Sequence, residues 1–215
     1  ATNTLSFEDY VFCRQIALIV FIFHNDSLFY PVKNLIDSLN LSGYDWLLSL
    51  FDQVNQNKKF KELINDFIHE TTNELWLDRD ELLGFVSNPE NIDRFLSGEL
   101  GSNLLFKYKA RAIVNYLETL GEVVRDGTKE YLLKSKEDSI TTCKEEIFEV
   151  IDQMVMHSIC QMNNVFEPSL EKQNCEYNFN IKPWLIPNKP PKYFDNLLEL
   201  KPFLKGYCKL SYSHS

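Results

Sequence analysis

Residues 11–23 read VFCRQIALIVFIF, and no other stretch of the chain limits its fold so strongly. They are too few for a membrane-spanning helix, which needs roughly twenty predominantly apolar residues, and Arg14 and Gln15 interrupt them. Nor do they carry the basic start and small-residue cleavage site of a signal peptide. Ile16, Ile19, Val20 and Phe23 recur at helical spacing, while Ala17, Leu18, Phe21 and Ile22 fill the other faces. A helix that is apolar all round is a buried one. This helix is therefore expected at the centre of the fold, entered through a capping box of Ser6 and Asp9 and emerging at the polar triplet His24-Asn25-Asp26.

The remaining pattern extends this helical reading. Ser27 is expected to cap a second helix to about Asn40, with Pro31 early enough that its missing N–H costs little. Gly43 opens a third to about Asn55. A fourth carries Phe60, Leu63, Ile64, Phe67 and Ile68 on one stripe. Asp78 with Glu81, and Asn88-Pro89-Glu90, start two short helices. Leu104, Leu105, Tyr108, Ala112, Ile113, Tyr116 and Leu117 then line about five helical turns. Asp126-Gly127 is a strong hairpin signal between Val123-Val124 and Tyr131-Leu132, so a small two-stranded hairpin is expected there. Thr142 starts a last long helix to about Met162.

From Glu167 the texture changes, because Pro168, Pro183, Pro187, Pro190 and Pro191 forbid long helices. Tyr177, Phe179 and Ile181 alternate with polar residues, as in an extended segment pinned by aromatic side chains. The expected architecture is mainly α: a multi-helix, bundle-like body over residues 1–165 with a possible small β-hairpin. An irregular proline- and aromatic-rich arm over residues 166–215 packs on the same body. A chain of 215 residues, 44% hydrophobic, is long enough to bury a large core.

Charge and motif content narrow the chemistry. A net charge of −9 repels nucleic-acid phosphates and anionic lipid, so neither nucleic acid nor membrane is an expected partner. Five cysteines, an odd number with no close ligand pair, suit a reducing, cytoplasmic setting and buried thiols. His69-Glu70-Thr71-Thr72-Asn73 approaches the zinc helix H-E-x-x-H, but Asn73 stands where the second imidazole is needed. A solvated helix face is the simpler reading. His157 and His214 have no ligand-like neighbours, and no glycine-rich phosphate loop or nucleophile elbow occurs.

Polar residues inside apolar texture supply the remaining candidates. His24, Asn25 and Asp26 make either a solvated turn or the lining of a pocket. Arg14, inside the apolar helix, most simply meets a carboxylate from another element. Lys107, Lys109 and Arg111, followed by a hairpin with Arg125, Lys129 and Lys134, have the order of a winged-helix nucleic-acid reader, although one helix face cannot display all three.

Three stretches together resemble a known family: TNTLSFEDYVFCRQIALIVFIFHND (2–26), GELGSNLLFKYKARAIVNYLETL (98–120) and EYNFNIKPWL (176–185). In order, and along nearly the whole chain, they are similar to the region that follows the catalytic barrel in radical S-adenosylmethionine enzymes with a cobalamin-binding domain. The resemblance implies a parent with a cobalamin domain and a barrel that holds a [4Fe–4S] cluster on C-x3-C-x2-C, the fourth iron position binding S-adenosylmethionine. None of the five cysteines here has that spacing, so cluster, S-adenosylmethionine and cobalamin are expected outside this chain. This chain is then a carboxy-terminal accessory domain, catalytically silent by itself, whose partners are the barrel and cobalamin domain of the same parent. Weak substrate-binding candidates, from polarity alone, are His24, Asn25, Asp26, Tyr108, Lys109 and Arg111. The alternative is a stand-alone helical interaction module that docks through its aromatic tail, residues 177–203.

Overall fold

The computed structural model describes residues 5–25, 28–76, 78–135, 137–166 and 173–212. Among them are nine α-helices and one small antiparallel sheet, so the chain is mainly helical. The first helix, α1 (Phe7–Val20), starts where Ser6 Oγ accepts the Asp9 N–H at 3.0 Å. It runs into a π-helical turn, Phe21–Asn25. Next come α2 (Tyr30–Ser38), α3 (Gly43–Gln56) and α4 (Lys58–Asn73). Ser42 caps α3, and Asn57 caps α4 through two N–H groups. Ser27 lies outside the described residues; α2 begins at Tyr30 behind Phe29, without a side-chain cap.

Two short helices follow, α5 (Arg79–Val86) capped by Asp78 and α6 (Pro89–Leu96) capped by Asn88. Two long ones form the spine: α7 (Leu104–Ser135), broken at Tyr116, and α8 (Glu137–Phe166), broken at Cys143. The α8 break comes one residue after Thr142, the expected start. Beyond α8, strand β1 (Gln173–Tyr177) pairs antiparallel with β2 (Cys208–Tyr212). Between them lie a 3-10 turn, Lys182–Trp184, and α9 (Leu197–Leu204).

The hairpin expected around Asp126-Gly127 is not formed; residues 121–133 continue α7. Its glycines serve close helix packing instead of a turn. A Cβ on Gly127 would stand 2.7 Å from Leu50 of α3, and one on Gly121 would stand 2.6 Å from Ile159 of α8. Neighbouring polar groups seal the α3 contact: Ser49 Oγ donates to the Gly127 carbonyl at 2.9 Å, and Trp46 Nε1 donates to Thr128 Oγ1 at 2.9 Å. A turn signal is local, whereas a glycine that admits a neighbouring helix takes its meaning from residues far along the chain. Gly127→Val is therefore expected to lose about 2 kcal/mol by overpacking. Gly84→Val, which meets nothing within 4 Å, is expected to be neutral or slightly stabilising. Urea denaturation of the two variants checks the contrast.

One core joins α1–α4 with α7–α9, and α5 and α6 contribute no buried residue to it; Trp46, Phe60, Phe67, Tyr108, Trp184 and Phe194 are fully buried. Burying each large apolar side chain contributes roughly 1.5–3 kcal/mol. The expected central helix is buried only towards its end: Leu18 and Ile19 of α1 and Ile22 and Phe23 of the π-helical turn lie in this core, whereas Phe7 and Phe12 are exposed. The carboxy-terminal arm is partly core as well, since Tyr177, Ile181, Trp184 and Phe194 are buried, while Tyr193, Phe203 and Tyr207 remain exposed. Among the described residues no single helix is long and apolar enough to cross a membrane.

Candidate functional site

The last turn of α1 gives the clearest irregularity. Over Phe21–Asn25 the helix widens to π geometry, which is rare and frequent at functional sites because the extra residue re-aims the side chains that follow. Ile22 and Phe23 stay buried while His24 and Asn25 are exposed. Asp26, the third member of the polar triplet, lies outside the described residues. The start of α7 packs on this turn. Phe106 meets Phe21 edge to face with centroids 4.9 Å apart, and Lys109 Nζ sits 4.7 Å from the Phe21 ring centre. Burial pulls the Lys109 amine below the usual lysine range.

Tyr108 and Arg111 do not share that surface. Successive helical residues point about 100° apart, and these two face α4. Tyr108 is fully buried, edge to face with Phe67 at 5.3 Å, and its hydroxyl donates to Glu70 Oε1 at 2.9 Å. Lys107 Nζ reaches Glu70 Oε2 at 2.6 Å, and Arg111 reaches Asp66 at 2.8 Å. Burial raises the Glu70 carboxyl, but the hydrogen bonds from Lys107 and Tyr108 and the charges of Lys107 and Arg111 outweigh it and hold it below the usual range. Burial first, and then the hydrogen bond to Glu70, keep the Tyr108 hydroxyl firmly protonated. A carboxylate held ionised beside a phenol held neutral is poorly matched to proton transfer near neutral pH. This seam orders α4 against α7.

Arg14 extends the seam toward α1. Its guanidinium lies 5.7 Å from the centre of the Phe67 ring, and its Nε is buried without a hydrogen-bond partner. Its carboxylate neighbour is Glu74, felt through space: burial raises the Glu74 carboxyl, and Arg14 offsets part of that rise. In the near-miss zinc helix, Asn73 Nδ2 lies 3.1 Å from His69 Nε2, so the two residues close on each other. Among the described residues no group of three His, Cys, Asp or Glu side chains gathers as metal ligands would.

A separate open groove of about 700 Å³ runs between α7, α8 and β1. Glu118, Arg125, Glu149, Asp152, Cys160 and Glu176 line it, and none of the five sequence candidates among the described residues does. Burial, and then the neighbouring Cys175 thiol, raise the Cys160 thiol to about 11, which keeps it protonated and a weak nucleophile.

The chain matches no protein family, curated protein or solved structure. Its site therefore rests on geometry alone. Sequence reasoning missed Asp66 and Glu70, although both leave a signal: they stand four residues apart on α4, as Lys107 and Arg111 do on α7. Of the basic residues that suggested a winged helix, Lys107, Arg111, Arg125, Lys129 and Lys134 are engaged with carboxylates, and Lys109 lies against Phe21. Arg125 and Lys129 both reach Asp152, and Lys134 reaches Glu130. The wing itself is helix.

Proposed function

We propose that this chain is the substrate-side accessory domain of a cobalamin-dependent radical S-adenosylmethionine enzyme and is not catalytic by itself. In this reading a cytoplasmic parent chain carries the [4Fe–4S] cluster, S-adenosylmethionine and cobalamin in its barrel and cobalamin domain. The present domain covers the open face of the barrel and excludes water from the radical. The observation that supports it is the meeting of two resembling stretches, 2–26 and 98–120, where Phe21 packs on Phe106 and Lys109. That junction ends in an irregular helical turn with His24 and Asn25 outward, which suits a surface that offers hydrogen-bond donors to a polar substrate. Tyr108 and Arg111 support that surface from behind by holding α7 on α4.

Reading the genomic frame upstream of Ala1 tests the proposal. The expected result is an open frame that continues into C-x3-C-x2-C; an in-frame stop followed by a start codon beside Ala1 overturns it. The second reading, a stand-alone interaction module that docks through its aromatic tail, is favoured by one observation, the exposed Tyr193 and Phe203 within residues 177–203.

A further inference from the structure

Residues 76–103 form a stretch in which no described side chain is buried, although their sequence is as amphipathic as that of the core helices. On α6, Ile92, Phe95 and Leu96 make a stripe at i, i+3, i+4, and all three are exposed, Leu96 by 81%. On α5, Leu83 and Val86 are exposed as well. The unit is nevertheless ordered internally. Trp76, Phe85 and Phe95 form an aromatic row with successive centroids 4.8 and 6.4 Å apart. Asn91 Nδ2 donates to the Phe85 carbonyl at 3.0 Å, and Arg94 closes on Glu99 at 2.7 Å. An ordered apolar surface that its own fold does not cover is the signature of a docking face.

Charge selects the occupant. The segment that carries the stripe, residues 76–103, holds six exposed acidic residues, Asp78, Asp80, Glu81, Glu90, Asp93 and Glu99, against only Arg79 and Arg94, and Arg94 is engaged by Glu99. A second copy would bring the same acidic rim against itself, since a two-fold contact matches a patch with its own equivalent. An anionic lipid surface would be repelled in the same way. We propose that the α5–α6 hairpin is a docking face for an amphipathic helix of a partner protein, its apolar side chains on Ile92, Phe95 and Leu96 and its flanking lysines or arginines on the acidic rim. This mode buries an apolar helix face while complementary charge sets its partner and register. It goes beyond the function proposed above, because neither α5 nor α6 belongs to the three resembling stretches.

Trp76 reports on this face directly. It is 40% exposed, whereas Trp46 and Trp184 are fully buried, so acrylamide quenching of the full chain reads mainly Trp76. Two synthetic eighteen-residue helical peptides are titrated, both with a leucine face, one flanked by lysine and one by glutamate. The lysine peptide is expected to lower the quenching constant at least two-fold, and the glutamate peptide to leave it unchanged. Leu96→Asp, at a side chain that carries no core packing, is expected to abolish the protection, and Asp80→Lys with Asp93→Lys, which leaves four acidic and four basic residues, to remove the preference for the lysine peptide. Equal protection by both peptides, protection by neither, or self-association of the chain through this face at micromolar concentration would overturn the proposal. All of these readouts are independent of the coding sequence upstream.

Discussion

Trp184→Ala is expected to destabilise the protein by about 4 kcal/mol, a large share of the total stability of a domain this size. Trp184 is fully buried, and its ring and backbone together fasten the carboxy-terminal arm to α2. Nε1 donates to Ser38 Oγ at 3.0 Å, and Ser38 Oγ in turn donates to the Asn34 carbonyl at 2.7 Å. Asn34 Nδ2 then returns to the arm, donating to the carbonyls of Trp184 and Ile186 at 2.9 and 2.8 Å. Farther along, the Phe194 N–H donates to the Ser38 carbonyl. Truncation opens a cavity the size of an indole beneath the turn. Trp184→Phe retains most of the apolar contact but loses the hydrogen bond, so a smaller loss of about 1.5 kcal/mol is expected. Urea denaturation measures both values. Limited proteolysis of Trp184→Ala should cut first between residues 182 and 204, ahead of α3, α7 and α8. A loss below 1 kcal/mol, or first cleavage in the helical body, would contradict the anchoring role.

What was legible in the sequence is what is decided within a few residues. The starts of α1, α5 and α6 are written in Ser6, Asp78 and Asn88-Pro89, because each cap is satisfied by N–H groups two or three residues on, and α3 opens at Gly43 as expected, with Ser42 before it as the cap. The burial of Leu18, Ile19, Ile22 and Phe23 follows from the apolar run, but the exposure of Phe12 on the same run does not. The length of α7 was not legible, since Asp126-Gly127 reads as a turn until Leu50 and Gln53 arrive from α3 to occupy the space a side chain would fill. The candidate site divides along the same line. Tyr108, Lys109 and Arg111 are adjacent in sequence, yet helical rotation sends Lys109 to the π-helical turn and the other two to α4. The acidic and basic stripes of α4 and α7 are each visible in the sequence. That they face each other is a property of the packing.

Acid is expected to weaken the fold through His157, and the sign follows from proton counting. This side chain on α8 is buried, edge to face with Tyr177 of β1 at 6.2 Å. Burial disfavours the charged imidazolium and depresses its pKa to about 4, against an ordinary value of about 6.5. Between those values the unfolded chain binds a proton that the folded chain does not, so stability rises with pH there and falls as pH drops. The contribution is fully retained above the unfolded value. It is expected to decline by roughly 2 kcal/mol between pH 7 and pH 5, and by roughly 3 kcal/mol once the folded value is passed. Exposed carboxylates titrate over part of the same range, so the comparison is made with His157→Phe, which keeps a ring against Tyr177 and removes the titration. Denaturation midpoints of both proteins are measured from pH 7.5 to pH 4. The difference in their stabilities should change steeply below pH 6.5, and parallel profiles would show that the imidazole is protonated without cost in the folded state.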